Sequence, residues 1–162
     1  MHECREANTF YAARMTRPDG PRRRWLVDGM NVIGSRPDGW WRDRTAAMRR
    51  LTGDLDALAR ETGEPVTVVF DGAPRETGGD RVEVRFARRR GPNAADDDIA
   101  ALAAADDDPA SLRVVTSDAG LAERVRPTGA ELVGAGAFRR RLDALGAPSG
   151  EEPGGGGRSS DP

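Results

Sequence analysis

The chain has 162 residues, 37% hydrophobic and 32% charged, with a net charge of -2; that is material for one core without disulfides or structural metals, and no global basic field announces a partner. All 25 basic residues are arginine, which excludes chemistry that needs a catalytic or phosphate-binding lysine. The single cysteine, Cys4, and the single histidine, His2, leave no material for an internal disulfide or a cysteine zinc site and argue against a His-based triad or a histidine metal cluster.

In chain order, residues 1–22 read as a polar leader ending in the turn Pro18-Asp19-Gly20, with no continuous apolar segment of signal-peptide type. Trp25-Leu26-Val27 is a short apolar strand running into Asp28, and Gly29 to Gly39 is expected to be a loop. Trp41 to Glu61 has the spacing of an amphipathic helix, stopped by Gly63 and Pro65. Val66 to Phe70 is a continuous β-branched run, expected to be a strand buried on both faces. Arg81 to Phe86 alternates and reads as an edge strand. Ala94 to Ala105 is a helix with Ile99, Leu102 and Ala103 inward; Leu112 to Val115 is a buried strand; Ala119 to Val125 is a short helix. Glu131 to Val133 and Ala137 to Leu145 close the unit as a strand and a helix. The segment 147–162, rich in Gly, Pro and Ser, cannot bury enough apolar surface to offset its ordering entropy and is expected to be disordered. Strands separated by helices need parallel crossovers, so the domain over 23–146 is expected to be α/β, with a central parallel sheet flanked by helices. No apolar run reaches membrane-spanning length, and the cytoplasm is the expected compartment.

Three strands share one form: an apolar run that ends in an aspartate. They are RWLV-Asp28, VTVVF-Asp71 and RVVTS-Asp118. In an open parallel sheet the carboxyl ends lie on one edge, where ligands bind, so these three acids should share a rim. A fourth comes from Asp96-Asp97-Asp98 at the start of a helix, where the dipole favours acids. Asp96 lies three residues before Ile99 and is preferred as the site member, with Asp98 a second candidate and Asp97 pointing away. A lone Asp after a strand is ordinarily a turn or cap residue; three such acids plus one at a helix start are harder to read that way. Crowded carboxylates repel, and a hard divalent cation relieves the repulsion. Oxygen ligands without His or Cys match Mg²⁺ or Mn²⁺, and such a site can activate water against a phosphodiester. The run Asp106-Asp107-Asp108 reads as a solvated loop.

The string Val27-Asp28-Gly29-Met30-Asn31-Val32-Ile33-Gly34 resembles the opening of YacP-like NYN domains, which belong to the PIN-like nuclease group. Val68-Val69-Phe70-Asp71, Ala95-Asp96 with Ile99, and Val114-Val115-Thr116-Ser117-Asp118 resemble the family's later motifs, in order, so the resemblance spans roughly Arg24 to Leu145. It implies a Rossmann-like fold and cleavage of RNA, chiefly single-stranded, with Mg²⁺ or Mn²⁺ held by Asp28, Asp71, Asp96 and Asp118. It implies that Asn31 orients Asp28 or a phosphate and that Ser117 offers a supporting hydroxyl. Many NYN domains carry a further acid just after the last aspartate; Ala119 stands there here, and the number of metals stays open.

Arg85, Arg88, Arg89 and Arg90 lead through Gly91 and Pro92 into the Asp96 helix, and arginine forks suit phosphate oxygens, so this run is the candidate RNA contact. Trp40 and Trp41 could stack bases, but helix packing is the stronger expectation. The main alternative is a non-catalytic RNA- or ribosome-binding module on the same fold. A flap-type DNA nuclease would need a helical region for duplex binding that the chain has no room for. A receiver domain would need a lysine, and a haloacid-dehalogenase phosphatase would need Asp-x-Asp where Asp28 is followed by Gly29 and Met30.

Overall fold

A computed structural model describes residues 23–146. The expected leader over 1–22 and tail over 147–162 lie outside these residues. Five parallel strands form one sheet: β1 (Arg24–Asp28), β2 (Val66–Phe70), β3 (Glu83–Phe86), β4 (Leu112–Val115) and β5 (Glu131–Val133), in spatial order β3-β2-β1-β4-β5. The helices are α1 (Gly29–Gly34), α2 (Arg44–Thr62), α3 (Ala94–Ala104), α4 (Ala119–Val125) and α5 (Ala135–Gly146).

Alternation along the central strands builds two cores. Trp25, Val27, Val66, Val68, Phe70 and Val115 pack under α1, α2 and α5, while Leu26, Val69, Leu112 and Val114 pack under α3 and α4. Strands buried on both faces need apolar residues at every position, which is why β2 is an unbroken apolar run save Thr67. From β1 the chain moves outward through β2 to β3, then crosses back to β4 on the other side of β1. The order therefore reverses between β1 and β4, and the carboxyl ends at such a reversal are where open parallel sheets bind ligands.

Most element boundaries fall within two or three residues of expectation, and β2, β4, α4 and β5 coincide with it. Three details differ. The segment after Asp28 is a six-residue helix, not a loop, burying Gly29, Val32 and Ile33; six residues are too few to display a helical period. Helix α2 begins later than Trp41, because Trp40–Arg42 forms a separate 3-10 turn and the Asp43 carboxylate caps α2 by accepting from the Ala46 N–H at 3.0 Å. Asp106 is not solvated: Arg24 donates to its two carboxylate oxygens at 2.6 and 2.7 Å and to the Asp108 carbonyl at 2.8 Å. That bidentate clamp ties the start of β1 to the loop before β4, and it holds the Arg24 guanidinium above its usual value, chiefly through the Asp106 hydrogen bond.

Candidate active site

The backbone brings Asp28, Asp71 and Asp118 to the carboxyl edge of the sheet. Asp28 ends β1 and is 4% exposed. Its close packing depends on Gly29: a Cβ there would stand 2.5 Å from the Phe70 ring and 2.9 Å from Val68. In register Val27 pairs with Val115, so Thr116, the residue just after β4, lies beside Asp28. The Thr116 hydroxyl donates to Asp28 Oδ2 at 3.1 Å and accepts from the Asp118 N–H at 3.1 Å. One buried hydroxyl thus links the first and last aspartates; nothing in the sequence pattern singled out Thr116.

Asp71 follows β2 and turns Oδ1 to the Ala95 N–H at 2.8 Å. Asn93, at the N-terminus of α3, makes no side-chain cap, so Asp71 satisfies that helix from another element. Asp118 caps its own helix, accepting from the Leu121 N–H at 2.8 Å. Both therefore act as the cap residues that the ordinary reading of a strand-end Asp requires, through one oxygen each. A site role rests on what surrounds them.

What surrounds them is other carboxylates. Burial raises Asp28 to about 7, and the Asp96 and Asp71 charges add to the rise against the Thr116 hydroxyl and the Asn31 backbone N–H. Asp96 is raised by burial and by Asp118 and Asp71, with Arg124 acting the other way. Asp28 and Asp96 thus feel each other's neighbourhood of acids, which β1, β2, β4 and α3 bring together.

The remaining expected residues fall around this group. The Asn31 side chain accepts from the Ser117 N–H at 2.7 Å, so it fixes the end of β4 rather than Asp28 directly. The Ser117 hydroxyl accepts from the Ala135 N–H at 2.8 Å, at the start of α5. Asp98 is turned to the arginine loop: it accepts the Arg88 N–H at 2.9 Å and Arg88 Nε at 3.4 Å. Arg89 pairs with Asp97, which Arg124 also binds at 2.8 Å, and Arg85 pairs with Glu83 at 2.8 Å. The basic loop does lie beside α3, where Arg88 and Arg89 pair with its acids, while Arg85 sits on β3 itself. Trp40 packs on the core, and Trp41, 54% exposed, stands edge-on to it.

The donor set is one that Mg²⁺ or Mn²⁺ takes: carboxylates and hydroxyls, with no thiolate or imidazole. Among the described residues, however, no three His, Cys, Asp or Glu side chains are gathered tightly enough to hold a metal ion. The acids are neighbours that repel, and their side chains would have to turn inward to share an ion.

The sequence profile of the YacP-like NYN domain matches residues 25–152, a span that contains Asp28, Asp71, Asp96 and Asp118. The chain belongs to the YacP-like NYN family. This is a PIN-like, nuclease-type domain. Two solved structures are similar to this NYN chain. A tryptophan-to-leucine variant of Rae1 (YacP) from Bacillus subtilis is 29% identical, with a TM-score of 0.66 over 76% of this chain and 77% of that one. The unmodified Rae1 (YacP) from Bacillus subtilis is 28% identical, with a TM-score of 0.64 over 76% of this chain and 75% of that one. A search of the curated proteins found no match. No helix among the described residues of this NYN domain is long and apolar enough to cross a membrane.

Proposed function

We propose that this chain is a Mg²⁺- or Mn²⁺-dependent endoribonuclease acting on single-stranded RNA. The observation that carries the reading is the convergence of strand-end and helix-start carboxylates at the switch point of the sheet, where Asp28 and Asp96 are raised by burial and by neighbouring acids, Asp71 acting on both and Asp118 on Asp96. Structural carboxylates are held by cations or by N–H donors, and two of these four are capped so. Four set together, one of them buried and with no cation beside it among the described residues, suit a positive charge at their centre. An ion held there would activate a water and offset charge on a scissile phosphate. The protein's own part is placement. The Ala95 and Leu121 N–H groups aim Asp71 and Asp118, Thr116 couples Asp118 to Asp28, and the Asn31–Ser117 bond holds the β4 end in register with α1. Arg88, Arg89 and Arg90, on the loop that leads into α3, would bind the RNA backbone.

The competing reading is an RNA- or ribosome-binding module without chemistry. It is favoured by the cap roles of Asp71 and Asp118, which would persist in a binder. Labelled single-stranded RNA and DNA, each with Mn²⁺, Mg²⁺ or EDTA, separate the two, and Asp118→Asn sharpens the test. Asn caps a helix about as well as Asp, so this variant keeps the fold and RNA binding and loses roughly 100-fold or more in cleavage rate, on the order of 3 kcal/mol. Asp107→Asn, at an exposed position in a different acidic run, cleaves normally. Equal cleavage by wild type and Asp118→Asn, with circular dichroism confirming both folds, would sink the mechanism.

A further inference from the structure

Packing accounts for only one of the two adjacent tryptophans. Trp40 is half-buried and packs on the core. Trp41 is 54% exposed, the most exposed large apolar side chain among the described residues. We propose that Trp41 is a stacking platform for one base of single-stranded RNA. The proposal rests on the ribonuclease reading above for its ligand class, and on the bracing, charge and placement of the indole for the site.

A single exposed apolar residue is ordinary on a protein surface, so the surroundings of Trp41 decide the matter. Trp40 stands edge-on to it, with ring centroids 6.0 Å apart and planes at 86°. An edge-on neighbour covers one indole face at most, which agrees with more than half of Trp41 standing in solvent. Arg42 and Arg44 flank it along the chain; both are exposed, and neither pairs with an acid among the described residues. Asp43, between them, caps α2 through one oxygen. Arg50 lines a crevice with Trp40. From Arg36 to Arg50 the chain carries five arginines against two aspartates, so the local charge is positive although the whole chain is not. Arg88 and Arg89, by contrast, are engaged by carboxylates. Open guanidinium groups beside an exposed aromatic ring give a single strand both of its contacts, cations for the phosphates and a π-face for a base.

The placement follows from the crossover. Strand β1 delivers the chain to the carboxyl edge at Asp28, and β2 restarts at the opposite edge at Val66, so α2, which links them, runs antiparallel to the strands. Its N-terminal end, with Trp41 just before it, is therefore on the aspartate side of the sheet. The chain leaving β2 agrees. Past Asp71 it leans on the first two turns of α2: Arg75 donates to the Thr45 hydroxyl at 2.9 Å, and Arg49 donates to the Glu76 carbonyl at 3.2 Å. Asp71 and Arg75 are separated by at most about 14 Å of chain, and Thr45 follows Trp41 by four residues. A short single strand spans such an interval, within the roughly 4–16 nucleotides that surfaces of this kind occupy. Duplex RNA keeps its bases stacked on one another and offers none to the indole.

The test is titration in EDTA, which reads binding without cleavage, with a single-stranded RNA of about 15 nucleotides, the matching duplex, and a strand of the same length that lacks bases. Intrinsic tryptophan emission reports stacking, and anisotropy of end-labelled RNA reports affinity. The single strand should quench wild-type emission and the duplex should not. Trp41→Leu keeps apolar bulk without a π-face, at an exposed position, and circular dichroism checks its fold. It should lose the quenching and weaken single-strand affinity about tenfold. Trp41→Phe, which restores a π-face, should recover most of that affinity. The strand without bases should bind wild type and Trp41→Leu alike. Wild-type affinity in Trp41→Leu, or equal affinity in Trp41→Leu and Trp41→Phe, would overturn the platform alone. A wild type that binds and is quenched but never cleaves with Mn²⁺ or Mg²⁺ would overturn the nuclease reading and leave the platform standing. A wild type that does not bind single-stranded RNA overturns both.

Discussion

Asp28 is a buried acid facing two other acids, with one hydroxyl and one backbone N–H to offset them. Its value in the folded state, about 7, lies above that of an unfolded aspartate. The folded state thus binds the extra proton, and the stability tied to it is fully present below about pH 4 and lost as pH rises through about 7. Asp28→Asn removes the titration while keeping an acceptor for Thr116. In EDTA at pH 8 the variant should be more stable than wild type, by up to about 4 kcal/mol, since each tenfold difference in proton affinity between the folded and unfolded chain is worth about 1.4 kcal/mol. At pH 4 the difference should vanish. Urea melts across that range decide it; a gap that does not grow with pH would show that Asp28 is not buried against its neighbours. Gly29 is the matching steric case. Gly29→Ala drives a methyl into Phe70 and Val68, and should cost about 1–3 kcal/mol with no pH dependence.

At the scale of elements, the loop from Ala87 to Asn93 joins β3 to α3 and carries the basic run into the acidic first turn. Its arginines lean on the acids of that turn: Arg88 on Asp98, and Arg89 on Asp97. The exposed pairs hold the loop close to Asp96 while contributing little stability. Replacing Arg88, Arg89 and Arg90 together with Ala should therefore leave the melting temperature nearly unchanged. RNA affinity should fall and its dependence on salt should flatten, since fewer counterions are released. Affinity measured at several salt concentrations checks this; an unchanged slope would make the loop a solvated face. The entry to β3 is held differently. The Asp56 carboxylate, buried on α2, accepts the N–H groups of Asp80, Arg81 and Val82 at 2.7–3.1 Å. Burial pushes its value up, but these bonds and Arg60 outweigh that and hold it below the usual range. The stability it adds is present above about pH 4 and lost in more acid solution.

For the whole molecule, the sheet order places four carboxylates from distant parts of the chain at one edge, and their repulsion is a cost that the fold bears. A divalent cation that relieves it should raise the melting temperature, by relief and by mass action. The effect should be larger at pH 8 than at pH 6, because a proton on Asp28 competes with the ion. Thermal unfolding with Mn²⁺, Mg²⁺ and EDTA at both values is the measurement. An identical curve in all three would count heavily against a metal centre.

The parallel α/β fold was legible from the sequence because its cause is local. Val66 to Phe70 and Leu112 to Val115 are written for burial on both faces, and each is bounded by residues that stop a strand. The strand-end position of Asp28, Asp71 and Asp118 followed from the same pattern. What the sequence did not contain were relations across long separations. Thr116 is an ordinary residue until the register of β4 against β1 sets it beside Asp28. Asp106 looks solvated until Arg24, 82 residues away, reaches it. Helical spacing favoured Asp96 over Asp98 but left Asp98 a candidate; the course of the loop after β3 turned Asp98 to Arg88, while Asp96 stayed among the aspartates. Periodicity reports which face of an element is buried. Which polar group on that face meets which is decided only when the sheet is assembled, because burial makes each such group find a partner and the topology determines who is near.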